Sequence, residues 1–238
     1  NYIEWLHEQD RSAAEAYWKN QLDEISGPTN LPQVYRLYDD SLKKNEVEVD
    51  KDVLIGLKEL AKTAHCTLGT ILISAWGLLL SQYTQKSKVV FGTTVSGRPA
   101  TLSNVERIVG LMINTIPVVI DIPGDQTTLI KWLRNNQESQ VERIEHAYLP
   151  LTDIHSHFDK GDRGSIFDSL LILENYPSVT LKSDNDAASM LELTDAESFE
   201  STHYGVTVTC QERGDKLIVN LQGRSSQYSP GLLDNVLA

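Results

Sequence analysis

The chain has 238 residues, with 33 Asp and Glu against 21 Lys and Arg and a formal net charge of −12, so its mean field repels nucleic-acid backbones and anionic lipid and argues against either as a partner. A hydrophobic share of 40% with 23% charged residues belongs to a folding globular chain with room for a sizeable core, not to a disordered one. The two cysteines, Cys66 and Cys210, allow at most one bridge, and the sequence has no Asn-x-Ser/Thr acceptor; both facts fit a reducing, cytoplasmic setting.

Ser12-Ala-Ala-Glu15 has the spacing of a capping box, and Trp18, Leu22 and Ile25 follow at helical spacing before Gly27-Pro28 ends the element. Val47 and Val49 alternate with acids, which predicts a strand with one wet face. Asp50 then caps a helix with one apolar stripe (Val53, Leu54, Leu57, Leu60, Ala61, Ala64), and that helix belongs on a surface. Thr67 caps a third helix, apolar on nearly every side from Leu68 to Leu80 and therefore expected between layers. That stretch is shorter than the roughly 18 residues a membrane span needs, and the polar opening Asn1-Tyr2-Ile3-Glu4 is not a secretory signal. Lys88 to Gly92 and Met112 to Ile120 read as central strands covered on both faces, with Pro117 marking a bulge or an edge stretch. After Gly124 a long amphipathic helix carries Leu129, Ile130, Leu133, Val141, Ile144 and Tyr148 up to Pro150. Ser169 to Leu173 reads as a buried strand, and Val206 to Cys210 and Leu217 to Leu221 as a hairpin turning at Glu212-Arg-Gly-Asp215. Between Ser183 and Glu200 lie six acids and no Lys or Arg, which predicts a mobile surface loop. Ser229-Pro230 opens a last helix. The first residue is not Met and the chain stops inside that helix, so an excerpt of a longer protein is expected. The order of elements gives a single α/β domain over 1–238, a layered fold with a mixed β-sheet flanked by helices.

Much chemistry is absent. Neither G-x-G-x-x-G nor G-x-x-x-x-G-K occurs, and Thr94-Val-Ser96-Gly-Arg98 lacks the flanking glycines of a hydrolase elbow, so Ser96 reads as a turn serine. Asp153, His155, His157 and Asp159 alternate and would point one way from an extended segment, a loose metal-ligand spacing whose plain alternative is a solvated polar loop. His65, His146 and His203 have no carboxylate at a telling offset. Cys66 sits at a predicted helix start, where the dipole lowers a thiol pKa, although a packed, inert thiol explains it as well. Two polar features inside apolar surroundings carry more weight. Asn114-Thr115 interrupts an apolar strand, and a buried amide without partners costs on the order of 1–3 kcal/mol, so it either pairs with backbone or faces a cavity. Ser96-Gly97-Arg98-Pro99 leaves a buried strand at its end, where ligand crevices of α/β sheets form.

These residues also carry a resemblance. Val89-Val-Phe-Gly-Thr-Thr-Val-Ser-Gly-Arg-Pro99 followed by Val109-Gly-Leu-Met-Ile-Asn-Thr-Ile-Pro117 resembles the condensation domains of nonribosomal peptide synthetases, in which a strand ending in S-G-R-P precedes a V-G-x-F-x-N-T block. Tyr2-Ile-Glu-Trp5 is similar to the family's Y-x-D-(aromatic) block. His146-Ala-Tyr-Leu-Pro-Leu151 is similar to its (H/N)-Q-D-x-P-F block, with departures at Ala147 and Tyr148. Phe167-Asp-Ser-Leu-Leu-Ile-Leu-Glu-Asn-Tyr-Pro177 resembles its F-D-x-L-x-x-(aromatic)-E-N-Y-P segment. The blocks occur in the family's order over essentially the whole chain.

The family's H-H-x-x-x-D-G signature, which carries the histidine assigned to catalysis, precedes the Y-x-D block, and no two histidines here are adjacent. The resemblance therefore implies the C-terminal lobe alone, one of two halves that resemble chloramphenicol acetyltransferase and meet along a tunnel. Its implied partners are the N-terminal lobe and the donor and acceptor peptidyl carrier proteins, whose phosphopantetheine arms deliver a thioester and an attacking amine; no cofactor is bound directly. Ser96, Gly97, Arg98, Asn114 and Thr115 are the expected tunnel-lining residues, with Arg98 pinning its loop by ion pairing and Asn114 nearer the substrate, and with no catalytic residue and no metal ligand in this chain. An isolated lobe is expected to be inactive, to expose an apolar junction surface and to self-associate. The rival readings are a non-catalytic module docking a carrier protein or a neighbouring synthetase domain, and a complete small acyltransferase, which needs an in-chain base. The Val109 to Thr115 block looks more like ordinary peptide-bond formation than like the epimerisation or cyclisation branches.

Overall fold

The computed structural model of the chain describes residues 2–25, 27–33, 41–158, 165–174, 202–228 and 230–237. Its strands are β1 (Leu42–Val49), β2 (Lys88–Val95), β3 (Asn114–Asp121), β4 (Ser169–Glu174), β5 (Val206–Arg213) and β6 (Lys216–Arg224), and they form one sheet in the order β1-β6-β5-β4-β2-β3. β4 runs parallel to β2 and β5 while the remaining neighbours are antiparallel, which is the expected mixed sheet. The hairpin of β5 and β6 closes at Gly214-Asp215, where Gly214 takes the left-handed conformation that such a two-residue turn requires.

Successive residues of a strand point to opposite faces, and the core divides accordingly. Val89 and Phe91 of β2 join a large cluster beneath α3 (Lys51–Ala64), α4 (Leu68–Thr84), α5 (Leu129–Glu145) and α7 (Pro230–Leu237), whereas Val90 joins a smaller one beneath α2 (Arg11–Leu22) and α6 (Leu151–Phe158). A short helix, α1 (Tyr2–Glu8), precedes them where no helix was expected. Asp50 and Thr67 cap α3 and α4 as expected, each accepting an orphan amide. For α2 the cap is Asp10, which accepts from the Ala13 amide at 3.0 Å, so Ser12 lies inside the first turn and the helix ends at Leu22, well before Gly27-Pro28.

Three expectations change. β3 begins at Asn114, so the amide opens the strand rather than interrupting it, and β3 is the last strand in the sheet order, not a central one. Its register with β2 is unbroken and sets Pro117 opposite Gly92, so the proline marks an edge and no bulge. The apolar run is long because Val118 and Ile120 pack under α4 while the chain between α5 and α6 covers the start of the strand. The stripe of α5 holds only in part: Leu133 is buried and Ile130 packs against the larger core, but Leu129, Val141 and Ile144 are exposed, and the helix also meets α4 through polar groups. Gln137 accepts from the Thr70 hydroxyl at 2.7 Å and Asn136 donates to Ser74 at 2.9 Å, an arrangement that apolar periodicity cannot reveal. Last, α4 is not covered all round, since Ala75 and Leu78 face outward. The acidic run 183–200, the end of the F-D segment from 175 to 177 and Ser229 lie outside the described residues.

Candidate functional site at the open end of the β2–β3 hairpin

The last pair of the ladder sets Val95 against Asn114, with Thr94 opposite Thr115 just inside it. From there residues 96–113 make a long loop that folds back on itself. Gly97 allows this: its φ is +62°, and a Cβ there would stand 1.7 Å from the Met112 carbonyl oxygen. Arg98 reaches across the loop, and its Nη1 donates to the carbonyls of Val105 and of Ile108, the latter at 3.1 Å. It therefore pins the loop through backbone carbonyls; no carboxylate pairs with it among the described residues, in contrast to the expected ion pair.

Asn114 is also fully engaged. Its Nδ2 donates to the carbonyls of Ala147 and Leu149, both at 2.9 Å, and its Oδ1 accepts from the Thr115 amide at 2.9 Å. Of the two alternatives for a polar side chain in this apolar stretch, pairing with backbone is the one realised. It holds the turn between α5 and α6, and that turn is held from its other side by Trp18, whose indole donates to the His146 carbonyl at 3.0 Å. Tyr148 and Ala147, the departures from the family block, both have structural work. Tyr148 donates to the Asp10 carbonyl at 2.8 Å and meets Trp5 edge-on, while Ala147 is buried. Trp5 in turn donates to Thr101, tying α1 to the loop.

What remains available is a row of hydroxyls. Thr94 and Thr115 are half-buried side by side and make no side-chain hydrogen bond among the described residues, and Ser96 is exposed beyond them, accepting only the Arg98 amide at 3.3 Å. Thr94 was missed in the sequence; the register that pairs it with Thr115 was the signal. No histidine bonds to this row among the described residues. His146 stacks on Tyr17 at 4.4 Å with its Nδ1 buried and unpartnered, and the nearby Arg143, although buried, meets only Gln140 as a hydrogen-bond acceptor among the described residues. Burial pushes the Tyr17 phenol up to about 12 and the Arg143 guanidinium down to about 10, so both keep their ordinary protonation at neutral pH.

The other candidates resolve by geometry. The segment read as extended is helix α6, which turns alternate residues away from each other. Asp153 pairs with Arg11 at 2.9 Å, Asp159 lies outside the described residues, and no cluster of three metal-ligating side chains occurs among those described. Burial pushes the Cys66 thiol up, as the packed, inert alternative to dipole activation requires, and takes Cys210 up to about 12, so neither is an activated nucleophile. Asp168 was passed over in the sequence. It accepts from Tyr228 at 2.9 Å, Gln33 at 3.1 Å and the Gly205 amide at 3.3 Å, joining the entries to β4 and β5 to the segment after β6.

Comparison with known proteins adds the context. The family model described as "Condensation domain" matches residues 1–235. The chain is 36% identical to a linear gramicidin synthase polypeptide of Brevibacillus parabrevis over its whole length, which is 3% of that protein. It is 31% identical to surfactin synthase subunit 3 of Bacillus subtilis over 93% of this chain and 17% of that protein, so it spans only a small part of these relatives. Its backbone matches the crystal structure of holo-AB3403, a four domain nonribosomal peptide synthetase bound to AMP and glycine, with a TM-score of 0.79 at 20% identity over 97% of this chain and 19% of that one. A likeness at that identity establishes the fold.

Proposed function

The chain belongs to the condensation-domain family of nonribosomal peptide synthetases, whose members form amide bonds by acyl transfer on a chloramphenicol acetyltransferase-like fold, and from that premise we propose that residues 1–238 are the C-terminal lobe of such a domain. The observation that carries the reading is the order of the family blocks, which starts from the one after H-H-x-x-x-D-G in a sequence without adjacent histidines. In this reading the lobe lends shape and polarity to a tunnel whose proton-handling histidine belongs to the sister lobe. The hydroxyls of Thr94, Ser96 and Thr115 face the tunnel and bond the amides of a phosphopantetheine arm, while Gly97, Arg98 and Asn114 fix the loop and turn that frame it. Asn114 is thus a positioning residue, since all three of its polar contacts are to backbone. The sister lobe covers the loop tip, where Val109 is 99% and Leu111 91% exposed and Ile113 is exposed beside them. Such side chains normally signal a partner when they cluster.

A positioned general base contributes about 10² to 10⁴-fold, and its absence makes this lobe inactive alone. The test joins an N-terminal lobe bearing H-H-x-x-x-D-G to Asn1 and measures amide formation between an acyl thioester and an amine, each loaded on a carrier protein. The joined protein is expected to turn over and the 238-residue chain to give none. Amide formation by the chain alone overturns the reading, and carrier capture by the chain alone, with no turnover in the joined protein, replaces it with a docking module.

A further inference from the structure

In the larger core, α4, α7 and the strands β1, β6, β5 and β4 line a cavity of about 200 Å³. Its floor is a regular apolar array. The strand register sets Val47, Val219 and Cys210 side by side in one row and Leu221, Val208 and Leu171 in the next. One wall is a single stripe of α4, in which Leu72, Ala75, Trp76 and Leu79 fall at the spacing of one helix face. Ala75 and Val47 are exposed, so the cavity opens between α4 and β1.

One polar group on this wall lacks its complement. The chain has four tryptophans. Three of them donate through Nε1: Trp5 to Thr101 at 3.2 Å, Trp18 to the His146 carbonyl at 3.0 Å and Trp132 to the Asp121 carbonyl at 2.7 Å. Trp76 is only 6% exposed, and its Nε1 is buried with no acceptor among the described residues. An indole N–H can only donate, and a buried donor left unmatched carries the full loss of its hydration. The side chains that share the lining offer it hydrocarbon and the Cys210 sulfur, a weak acceptor. Burial takes the Cys210 thiol up to about 12, which keeps that part of the floor uncharged at neutral pH. An occupant that fits is therefore apolar over most of its surface and brings one good acceptor. The volume lies below the roughly 300–1,000 Å³ of drug-sized ligand sites and above the roughly 150 Å³ at which an apolar cavity takes up benzene, so there is room for a short alkyl chain or one ring.

We propose that this cavity binds a small apolar carbonyl compound, a ketone or an ester, with its oxygen on Trp76 Nε1 and its alkyl groups on the Val and Leu rows of the floor. Apolar burial supplies the affinity, and the single hydrogen bond selects the carbonyl. The cavity is separate from the Thr94 to Thr115 hydroxyl row, and binding there does not depend on amide formation.

The experiment titrates the 238-residue chain with 2-heptanone and follows the indole Nε1–H protons and the methyl groups of Val208 and Leu221 by NMR, with cyclohexane and acetone in parallel. In the free chain the Trp76 proton is expected upfield of the three hydrogen-bonded indoles. 2-Heptanone is expected to shift the methyl groups saturably at low millimolar concentration and to move the Trp76 proton downfield. Cyclohexane is expected to move the methyl groups alone, and acetone to bind about tenfold more weakly or worse, because it buries less alkyl surface. Trp76→Phe keeps a ring and removes the donor. It is expected to weaken 2-heptanone about fivefold, the loss that goes with about 1 kcal/mol, and to leave cyclohexane unchanged. Ala75→Leu places a good helix former at the exposed mouth and is expected to weaken both probes about tenfold by filling it; melting curves confirm that the fold is kept. The proposal is overturned by an absence of saturable shifts, by methyl shifts with an unmoved Trp76 proton, which mean an unselective apolar hollow, or by an equal response to acetone. It is overturned as well if the Trp76 proton already lies with the other three in the free chain, or if Ala75→Leu binds like the parent chain.

Discussion

The base of the loop between β2 and β3 and its tip are built on opposite principles. At the base the two largest polar side chains that stood out in the sequence are engaged: Arg98 by two carbonyls, Asn114 by two carbonyls and an amide. At the tip Val109 and Leu111 stand almost wholly in solvent. Apolar groups face water where a partner covers them, and polar groups turn inward where backbone must be held. In the proposed reading Arg98 and Asn114 at the base define a shape, and the apolar residues at the tip define a contact with the sister lobe.

Variants separate these roles, beginning with the largest effect. Gly97→Ala meets both a left-handed φ and a Cβ that would lie 1.7 Å from the Met112 carbonyl. Strain of that kind costs about 1–3 kcal/mol before any clash is counted, and in a chain of this size each kcal/mol lowers the melting temperature by roughly 2–4 °C. A fall on the order of 10 °C is expected in a thermal melt; a melt like that of the parent chain means the loop does not fold back.

Next comes Asn114→Ala, which strips the Ala147 and Leu149 carbonyls of a shared donor and is expected to cost about 1–3 kcal/mol in urea unfolding. Asn114→Asp should be worse than Ala, because a carboxylate would face those two carbonyls. A side chain that only touched substrate would leave unfolding unchanged in both variants while turnover of the two-lobe protein fell. Arg98→Lys follows with a smaller loss of about 1 kcal/mol, since an ammonium at the end of a flexible stem replaces a planar group that bridges two carbonyls; identical urea midpoints would show that the bridge adds nothing.

How far the sequence could be read depended on where the signal was local. The caps Asp50 and Thr67, the hairpin at Gly214 and the mixed sheet were legible because capping, turn chemistry and element order act over a few residues. The position of β3 at the edge was not, since its apolar run comes from α4 and from the turn before α6, both distant in the chain. The stripe of α5 was right at Ile130 and Leu133 and wrong further on, because the inner face there carries Asn136 and Gln137. At the candidate site, Arg98 and Asn114 were singled out in the sequence together with Ser96, Gly97 and Thr115, but the partners of those two are mainly carbonyls, and a sequence contains no sign of which carbonyl a side chain will meet. Thr94 emerged only with the register, and Asp168 only when three segments came together around it.

The tip supplies the smallest effect on folding and the sharpest contrast with the base. Exposed substitutions away from special features move stability by about 0.5 kcal/mol or less, so Val109→Ser with Leu111→Ser should leave the urea midpoint of the 238-residue chain where it was. Burial of a Val or Leu side chain in an interface is worth about 1.5–3 kcal/mol each, and losing even part of both amounts to roughly a hundredfold in affinity. The double variant is therefore expected to bind a separately expressed N-terminal lobe about a hundredfold more weakly, and any self-association of the parent chain should weaken with it in sedimentation. Unchanged lobe affinity with an unchanged midpoint would mean that these two side chains face water in the joined protein too, and the contact role assigned to the tip would pass to another surface.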